Sequence, residues 1–230
     1  MVIFLIPDFF SKYKSKITGQ GIVEKKDGII QFEDVNNDGF SEQIISFSNT
    51  EGKAGIKITN HNNQITDSWN FDGQLIPRGY RLICGDYDHS GKNRIFFFIQ
   101  NNDSLNLACV IPGQSSKILF KKYISRLNVH NNQYDYGITS LFLIDLNHDG
   151  FKDVLFNVMS GFSLQPRRIF SYDIHNDTVF SSPLCGSLLQ IMDIFDINKD
   201  GYPEIFCDSK APQNYSDTSK IPFPDCSAWL

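Results

Sequence analysis

Four short stretches of this chain carry oxygen-bearing side chains at alternate positions followed by a glycine. They are DVNNDGFSE at 34–42, DYDHSGKNR at 86–94, DLNHDGFKD at 145–153 and DINKDGYPE at 196–204. Such a loop suits a hard cation, and calcium takes six to eight oxygens at ~2.4 Å in a flexible shell. In the third stretch the side chains of Asp145, Asn147 and Asp149 can converge on one point. Gly150 permits the sharp turn, the Phe151 carbonyl can add an oxygen, and Asp153 closes the shell from the ninth position. Magnesium demands a tighter octahedron and keeps more water, so calcium is the better match.

The opening half of these loops looks like an EF-hand, which needs a bidentate carboxylate at position twelve and a helix on each side. Position twelve is Ile45, Phe156 and Cys207 in the three best loops, so an EF-hand is excluded. A plainer reading of any single loop is a metal-free Asx turn, because Asp, Asn and Gly favour turns anyway. Three loops that also keep an acid at position nine argue against it. The second loop departs from the pattern, with Arg94 at position nine. It is expected to be metal-free, the guanidinium replacing the ion and pairing with Asp86 or Asp88.

The elements that hold these loops read as strands. SLFLI and VLFNVM flank the third loop, YRLIC and RIFFFI the second, QIISF follows the first, and LLQIMDIF precedes the fourth. Nearly continuous apolar runs of this kind fit strands covered on both faces. Further along each repeat the pattern becomes more polar, and strand-like runs flank the turn centres NHNN, PGQSS and HND. Each repeat therefore reads as strand, acidic loop, strand, turn, strand, turn, strand. The first aspartates stand 52, 59 and 51 residues apart, and four strands in ~50 residues is the size of a propeller blade.

The pattern D-x-[DN]-x-D-G-x-x-[DE] between apolar strands resembles the FG-GAP and VCBS-type repeats of integrin-like β-propellers, over about residues 20–210. The literal Phe-Gly and Gly-Ala-Pro signatures are not evident. The resemblance implies one calcium ion in each good loop. The implied ligands are Asp34, Asn36, Asp38, Glu42 and the Phe40 carbonyl in the first loop. They are Asp145, Asn147, Asp149, Asp153 and the Phe151 carbonyl in the third, and Asp196, Asn198, Asp200, Glu204 and the Tyr202 carbonyl in the fourth. The expected fold is all-β: a β-propeller of about four blades, each a four-stranded antiparallel sheet, over residues 20–230. The last repeat stops after its second strand. A fragment of a larger, seven-bladed ring is favoured over a small ring closed by an N-terminal strand. Residues 1–19, opening MVIFLIPDFF, read as a strand or as the stub of a membrane anchor; the apolar run is too short to span a bilayer.

The bulk numbers agree with a globular protein. The 230 residues carry 41% hydrophobic and 20% charged side chains, with a net charge of -5 and no run of Lys or Arg. Nucleic acid is a poor partner for such a chain. The five cysteines, Cys84, Cys109, Cys185, Cys207 and Cys226, are odd in number and irregular in spacing, so small buried thiols are favoured over a disulfide framework. The histidines His61, His89, His130, His148 and His175 form no HxH or HExxH pair. Trp69, Trp229, Tyr80, Tyr134 and Tyr136 offer rings for sugar stacking, although core packing is the commoner use. Arg167 and Arg168 read as exposed strand-edge charge that could meet an anion.

The function expected is a calcium-stabilised, extracytoplasmic recognition module with a protein or carbohydrate ligand, in the manner of adhesion and sensory ectodomains. Any membrane attachment would run through the N-terminal anchor. The competing class is a polysaccharide-degrading lyase or hydrolase on a propeller scaffold. It requires a paired acid and base, and no such pair stands at interpretable spacing outside the acidic loops.

Overall fold

A computed structural model of the chain describes residues 28–115, 117–210 and 221. The 1–19 segment, Cys226 and Trp229 lie outside the described residues. The fold is all-β, with no helix among the described residues.

Three four-stranded antiparallel meanders and one hairpin follow each other along the chain, and none closes on itself. The first sheet comprises β1 (Ile29–Glu33), β2 (Glu42–Ser48), β3 (Ala54–Thr59) and β4 (Ile65–Asn70). Two short strands follow, β5 (Gln74–Leu75) and β6 (Arg78–Gly79). The second sheet is β7 (Leu82–Gly85), β8 (Arg94–Asn101), β9 (Ser104–Val110) and β10 (Ile118–Arg126), with β5 pairing further along the β7 edge of β8. The third is β11 (Tyr136–Ile144), β12 (Asp153–Ser160), β13 (Arg167–Asp173) and β14 (Thr178–Ser181). The hairpin is β15 (Leu188–Phe195) and β16 (Glu204–Lys210).

The sheets stack face to face in chain order, and side-chain alternation explains how. On β8, Ile95, Phe97 and Ile99 pack with Ile44, Ile56, Ile58 and Trp69 of the first sheet. The intervening Phe96 and Phe98 pack with Val154, Phe156 and Phe170 of the third. On β12, Val154, Phe156 and Val158 face the second sheet, while Leu155 joins Leu189, Ile191 and Cys207 of the hairpin. A strand between two packed sheets must be apolar at every position, which is why RIFFFI and VLFNVM lack the usual alternation. The LNLACVI run, whose pattern reads as more polar, is buried on both faces for the same reason. The apolar LLQIMDIF run of β15 buries one face only, since the hairpin packs on the third sheet alone among the described residues.

Two local devices tie neighbouring sheets. Strand β6 leaves the second sheet's edge and pairs in parallel with the start of β11, at Gly137 and Ile138. Gly79 there has φ +85°, and a Cβ would stand 1.9 Å from the Ile138 carbonyl oxygen, so no side chain fits. Within the third sheet, a register shift between Ile138 and Leu141 frees the N–H groups of Thr139 and Ser140. Both donate to Oδ1 of the fully buried Asn157, at 3.2 and 2.7 Å, and its Nδ2 donates to the Leu189 carbonyl. One polar side chain thus satisfies the bulge and crosses to the hairpin, where each unmet buried group would cost about 1–3 kcal/mol.

Candidate metal centre

Each acidic loop joins the first strand of its sheet to the second: β1 to β2, β7 to β8, β11 to β12, and β15 to β16. All four share one backbone. The fourth positions, Asn37, His89, His148 and Lys199, have φ of 61°, 54°, 59° and 62°. The sixth-position glycines, Gly39, Gly91, Gly150 and Gly201, have φ of 87°, 76°, 87° and 96°. Two left-handed residues in one tight loop account for the glycine, and Asn and His at position four tolerate the same region.

The loops also meet one another. Asn37 Nδ2 donates to the Gly91 carbonyl at 2.9 Å, and Asn93 Nδ2 to the Asp34 carbonyl at 2.9 Å. Lys152 N–H donates to the Tyr87 carbonyl at 2.8 Å, and the His148 and Tyr202 rings stand 5.2 Å apart, edge to face. The four loops therefore line one rim of the stack.

Hydrogen bonds bring the sequence-selected side chains together. In the first loop, Asp34 accepts from the N–H groups of Asp38 (3.1 Å) and Gly39 (2.9 Å), while Glu42 accepts from Val35 N–H (3.0 Å). Asn36 Nδ2 donates to Asp38 Oδ2 (3.0 Å) and to Glu42 Oε1 (3.4 Å). The fourth loop repeats this. Ile197 N–H donates to Glu204 at 2.8 Å, and Asn198 Nδ2 donates to Asp200 (3.1 Å) and Glu204 (2.7 Å). In both loops one amide nitrogen bridges two carboxylates, the electrostatic role a cation would take over. Phe40, Phe151 and Tyr202, the carbonyl ligands implied by the resemblance, are held by N–H bonds to Asp38, Asp149 and Asp200 at 2.9, 2.8 and 2.8 Å. Among the described residues no three acidic, His or Cys side chains already stand in coordination geometry, so ligation requires them to turn inward.

The third loop differs in its oxygens. Asp145 Oδ2 accepts from Gly150 N–H at 3.1 Å, but its Oδ1 is buried with no partner. Asp153 is 3% exposed and, among the described residues, accepts a single hydrogen bond, from Leu146 N–H at 3.2 Å. An orphaned buried carboxylate oxygen facing further acids fits a cation and disfavours a plain turn. Two residues outside the loop join it. Asp173, at the end of β13, accepts from Asn147 Nδ2 at 3.1 Å, and Asn176 Nδ2 donates to Asp173 at 2.9 Å and to Asp149 at 3.5 Å. Sequence reading treats the HND stretch as turn chemistry alone. An acid two residues before it, at a strand end, is the signal that could have found the site.

Burial pushes the Asp153 carboxyl up to about 7, and the charges of Asp173, Asp149 and Asp145 push the same way against the Leu146 N–H bond. Burial also raises Glu42. A carboxylate raised above its unfolded value of about 3.9 holds its proton more tightly in the folded state. Below about pH 4 it is protonated in both states and costs nothing, and as pH rises from there towards 7 the unfolded chain alone ionises, so stability falls. In chelator, the melting temperature is expected to fall between pH 5 and pH 8, and Asp153→Asn should flatten most of that slope. A wild-type melting temperature that is level or rising across this range would contradict the assignment.

The second loop keeps the backbone but not the acid. Ser90 N–H donates to Asp86 and Asp88 at 3.2 Å each. Arg94 does not make the close pair with Asp86 or Asp88 that its position suggests. Its Nη1 donates to the carbonyls of Lys92 (2.9 Å) and Asn93 (3.3 Å). Burial works against the charge of Asp88, but hydrogen bonds from Ser90 and the field of Arg94 hold it below its usual range.

Other residues singled out in the sequence divide by burial. Trp69 and Tyr136 are core side chains at 1% exposure, whereas Tyr80 is 52% exposed. Arg167 is fully buried and donates to the Gly161 and Gly186 carbonyls, so it is not exposed edge charge. Arg168 donates to Ser181 at 3.1 Å. Cys84, Cys109 and Cys207 are free thiols. Burial pushes Cys84 and Cys109 up to about 12 and Cys207 to about 11, which leaves them inert near neutrality. His61 and His175 lie beside Phe40 and Phe151, with ring centroids 5.0 and 4.1 Å apart, so each caps the seventh residue of an acidic loop. A cleft of about 520 Å³ opens beside the first loop, lined by Asn36, Asp38, Glu42, His61, Asp67 and Lys92. No family model, curated protein or solved structure matches this chain.

Proposed function

We propose that this chain is a calcium-stabilised recognition module of propeller-type blades that works outside the cytoplasm. The observation that carries the proposal is the rim of four acidic loops, which share one backbone and one topological place. Three of the four keep an acid at position nine. Four-stranded meanders stacked face to face in chain order are what successive blades around an axis look like, and the hairpin corresponds to the first half of a fourth. The loop pattern alone supports kinship with FG-GAP and VCBS-type repeats.

In this reading calcium sits among Asp34, Asn36, Asp38 and Glu42, among Asp145, Asn147, Asp149 and Asp153, and among Asp196, Asn198, Asp200 and Glu204. The carbonyls of Phe40, Phe151 and Tyr202 complete the shells, and the second loop does without a metal. The ion neutralises three crowded carboxylates and pins the connection between the first two strands of a blade, so its role is structural. Extracellular modules bind calcium with Kd ~10⁻⁴ to 10⁻³ M, which suits a calcium-rich compartment and argues for an extracytoplasmic place.

The ligand is a protein or a carbohydrate. Tyr80 and Phe162, 52% and 62% exposed, stand at the end of the third sheet away from the loops and offer rings for such a partner. The test is melting in calcium and in chelator: a calcium-dependent rise supports the reading, and identical curves at millimolar calcium sink it.

A further inference from the structure

We infer that the end of the stack away from the acidic loops holds a carbohydrate site, with the Tyr134 ring as its platform and a neutral oligosaccharide as its ligand. The inference rests on the recognition-module reading and narrows its ligand to one class. In an antiparallel meander the turn after the second strand lies at the opposite end from the loop before it. The 49–53 turn, the 102–103 turn and the 127–135 connection therefore gather away from the acidic rim. Two clefts open there, of about 380 and 610 Å³, within the usual size range of small-ligand sites. Tyr134 and Asn102 line both.

The backbone of Tyr134 is fixed on both sides. Before it, Asn131 and Asn132, with φ of 49° and 58°, make a tight turn closed by the paired His130 and Gln133 backbones at 3.0 and 2.9 Å. After it, the Asp135 carbonyl accepts from Gly161 N–H at 2.7 Å, and the Asp135 carboxylate pairs with Arg78. The Tyr134 ring is half-buried against the core between the second and third sheets. Tyr136 commits its hydroxyl to Gln100 and Tyr172 commits its own to Asp177. The Tyr134 hydroxyl has no hydrogen-bond partner among the described residues, and neither do the side-chain amides of the exposed Asn102 and Asn128.

The walls select the ligand. Lys53 pairs with Glu51 at 3.2 Å and Arg126 with Asp103 at 2.8 Å, which leaves Asp72 as the one unpaired charge lining the clefts among the described residues. That balance disfavours both a polyanion and a polycation. Tyr134 stands with Val129, 49% exposed, beside donors and acceptors that have no partner. Such a surface suits a sugar, whose C–H face lies on the ring while its hydroxyls bond to the amides. A protein partner buries roughly 800 Å² a side around an apolar centre, and these clefts are lined mostly by amides and paired charges.

The experiment is a calorimetric titration of the full chain, in millimolar calcium, with neutral tetrasaccharides built from glucose, mannose, galactose or N-acetylglucosamine. At least one is expected to bind. Tyr134→Ala is expected to weaken that binding by about tenfold or more. Phe180→Ala, at an exposed ring outside both clefts, is the control and should leave it unchanged. Asn102→Gly removes one amide and suits the left-handed turn, where φ is 50°. It is expected to weaken the same binding severalfold, and it carries the test should Tyr134→Ala fail to fold. Binding indifferent to both variants, or no binding of any tetrasaccharide, would overturn the inference and leave the module reading intact, with a protein as its ligand. A tetrasaccharide that binds through Tyr134 and is shortened on incubation would support the site and overturn the module reading in favour of an enzyme.

Discussion

Calcium at a hundredfold excess over its Kd is expected to stabilise the folded chain by about 8 kcal/mol. The figure is three independent sites at ~2.7 kcal/mol each, by mass action on a state that alone binds the ion. For a chain of this size, ~1 kcal/mol moves the melting temperature by ~2–4 °C, so the shift between calcium and chelator should be roughly 20 °C. The cause lies in the loops. Each carries three carboxylates within nine residues, and without the ion their repulsion acts on the link between the first two strands of a sheet. An Asp149→Ala, Asp153→Ala double variant removes the third site and should lose about a third of the shift. Coincident wild-type melts would mean that the Asx hydrogen bonds suffice and that the loops are turns.

The second large effect concerns the stack that positions those loops. Phe98→Ala is expected to destabilise the chain by about 3–5 kcal/mol, the usual range for a buried phenylalanine cut to alanine. Phe98 is fully buried between the second and third sheets, its ring 4.7 Å from that of Phe156 and edge to face with it. Phe156 in turn stacks on Phe170 at 5.5 Å, so the cavity would open at one end of an aromatic column. Phe162→Ala, at a site 62% exposed, is the control and should change stability by less than about 1 kcal/mol. Chemical denaturation of both variants in chelator separates packing from metal binding. A loss below about 1 kcal/mol for Phe98→Ala would contradict the packed-sheet account.

Much of this architecture is legible because it repeats. One loop pattern, recurring every 50 to 60 residues or so, marks the same strand-to-strand connection four times, and the uninterrupted apolar runs of β8 and β12 report burial on both faces. Asn157 is harder to read. It sits inside VLFNVM as an apparent blemish, yet its position is set by a bulge on β11 and a carbonyl on β15, neither of which a local pattern contains. Arg167 misleads for a similar reason, since its partners are backbone carbonyls of Gly161 and Gly186 that only the fold brings near. Strands β5 and β6 are two residues each and carry no periodicity, so the crossing between sheets is invisible beforehand.

The candidate site shows the same division. Positions one, three, five and nine are fixed by local spacing, and in the first and fourth loops the third-position amide bonds the fifth and ninth carboxylates, although no three acidic, His or Cys side chains among the described residues stand in coordination geometry. Asp173 is 28 residues from Asp145 in the chain and reaches the loop only through the β12–β13 register. The role of Arg94 is also non-local. Whether it pairs with an aspartate depends on where the strand directs its side chain, and here it turns back onto the loop's own carbonyls.

The measurement that bears most directly on the central claim is the number of calcium ions bound per folded chain, counted by equilibrium dialysis against millimolar calcium. The account predicts three for wild type and two for the Asp149→Ala, Asp153→Ala variant. A wild-type count of zero would contradict it.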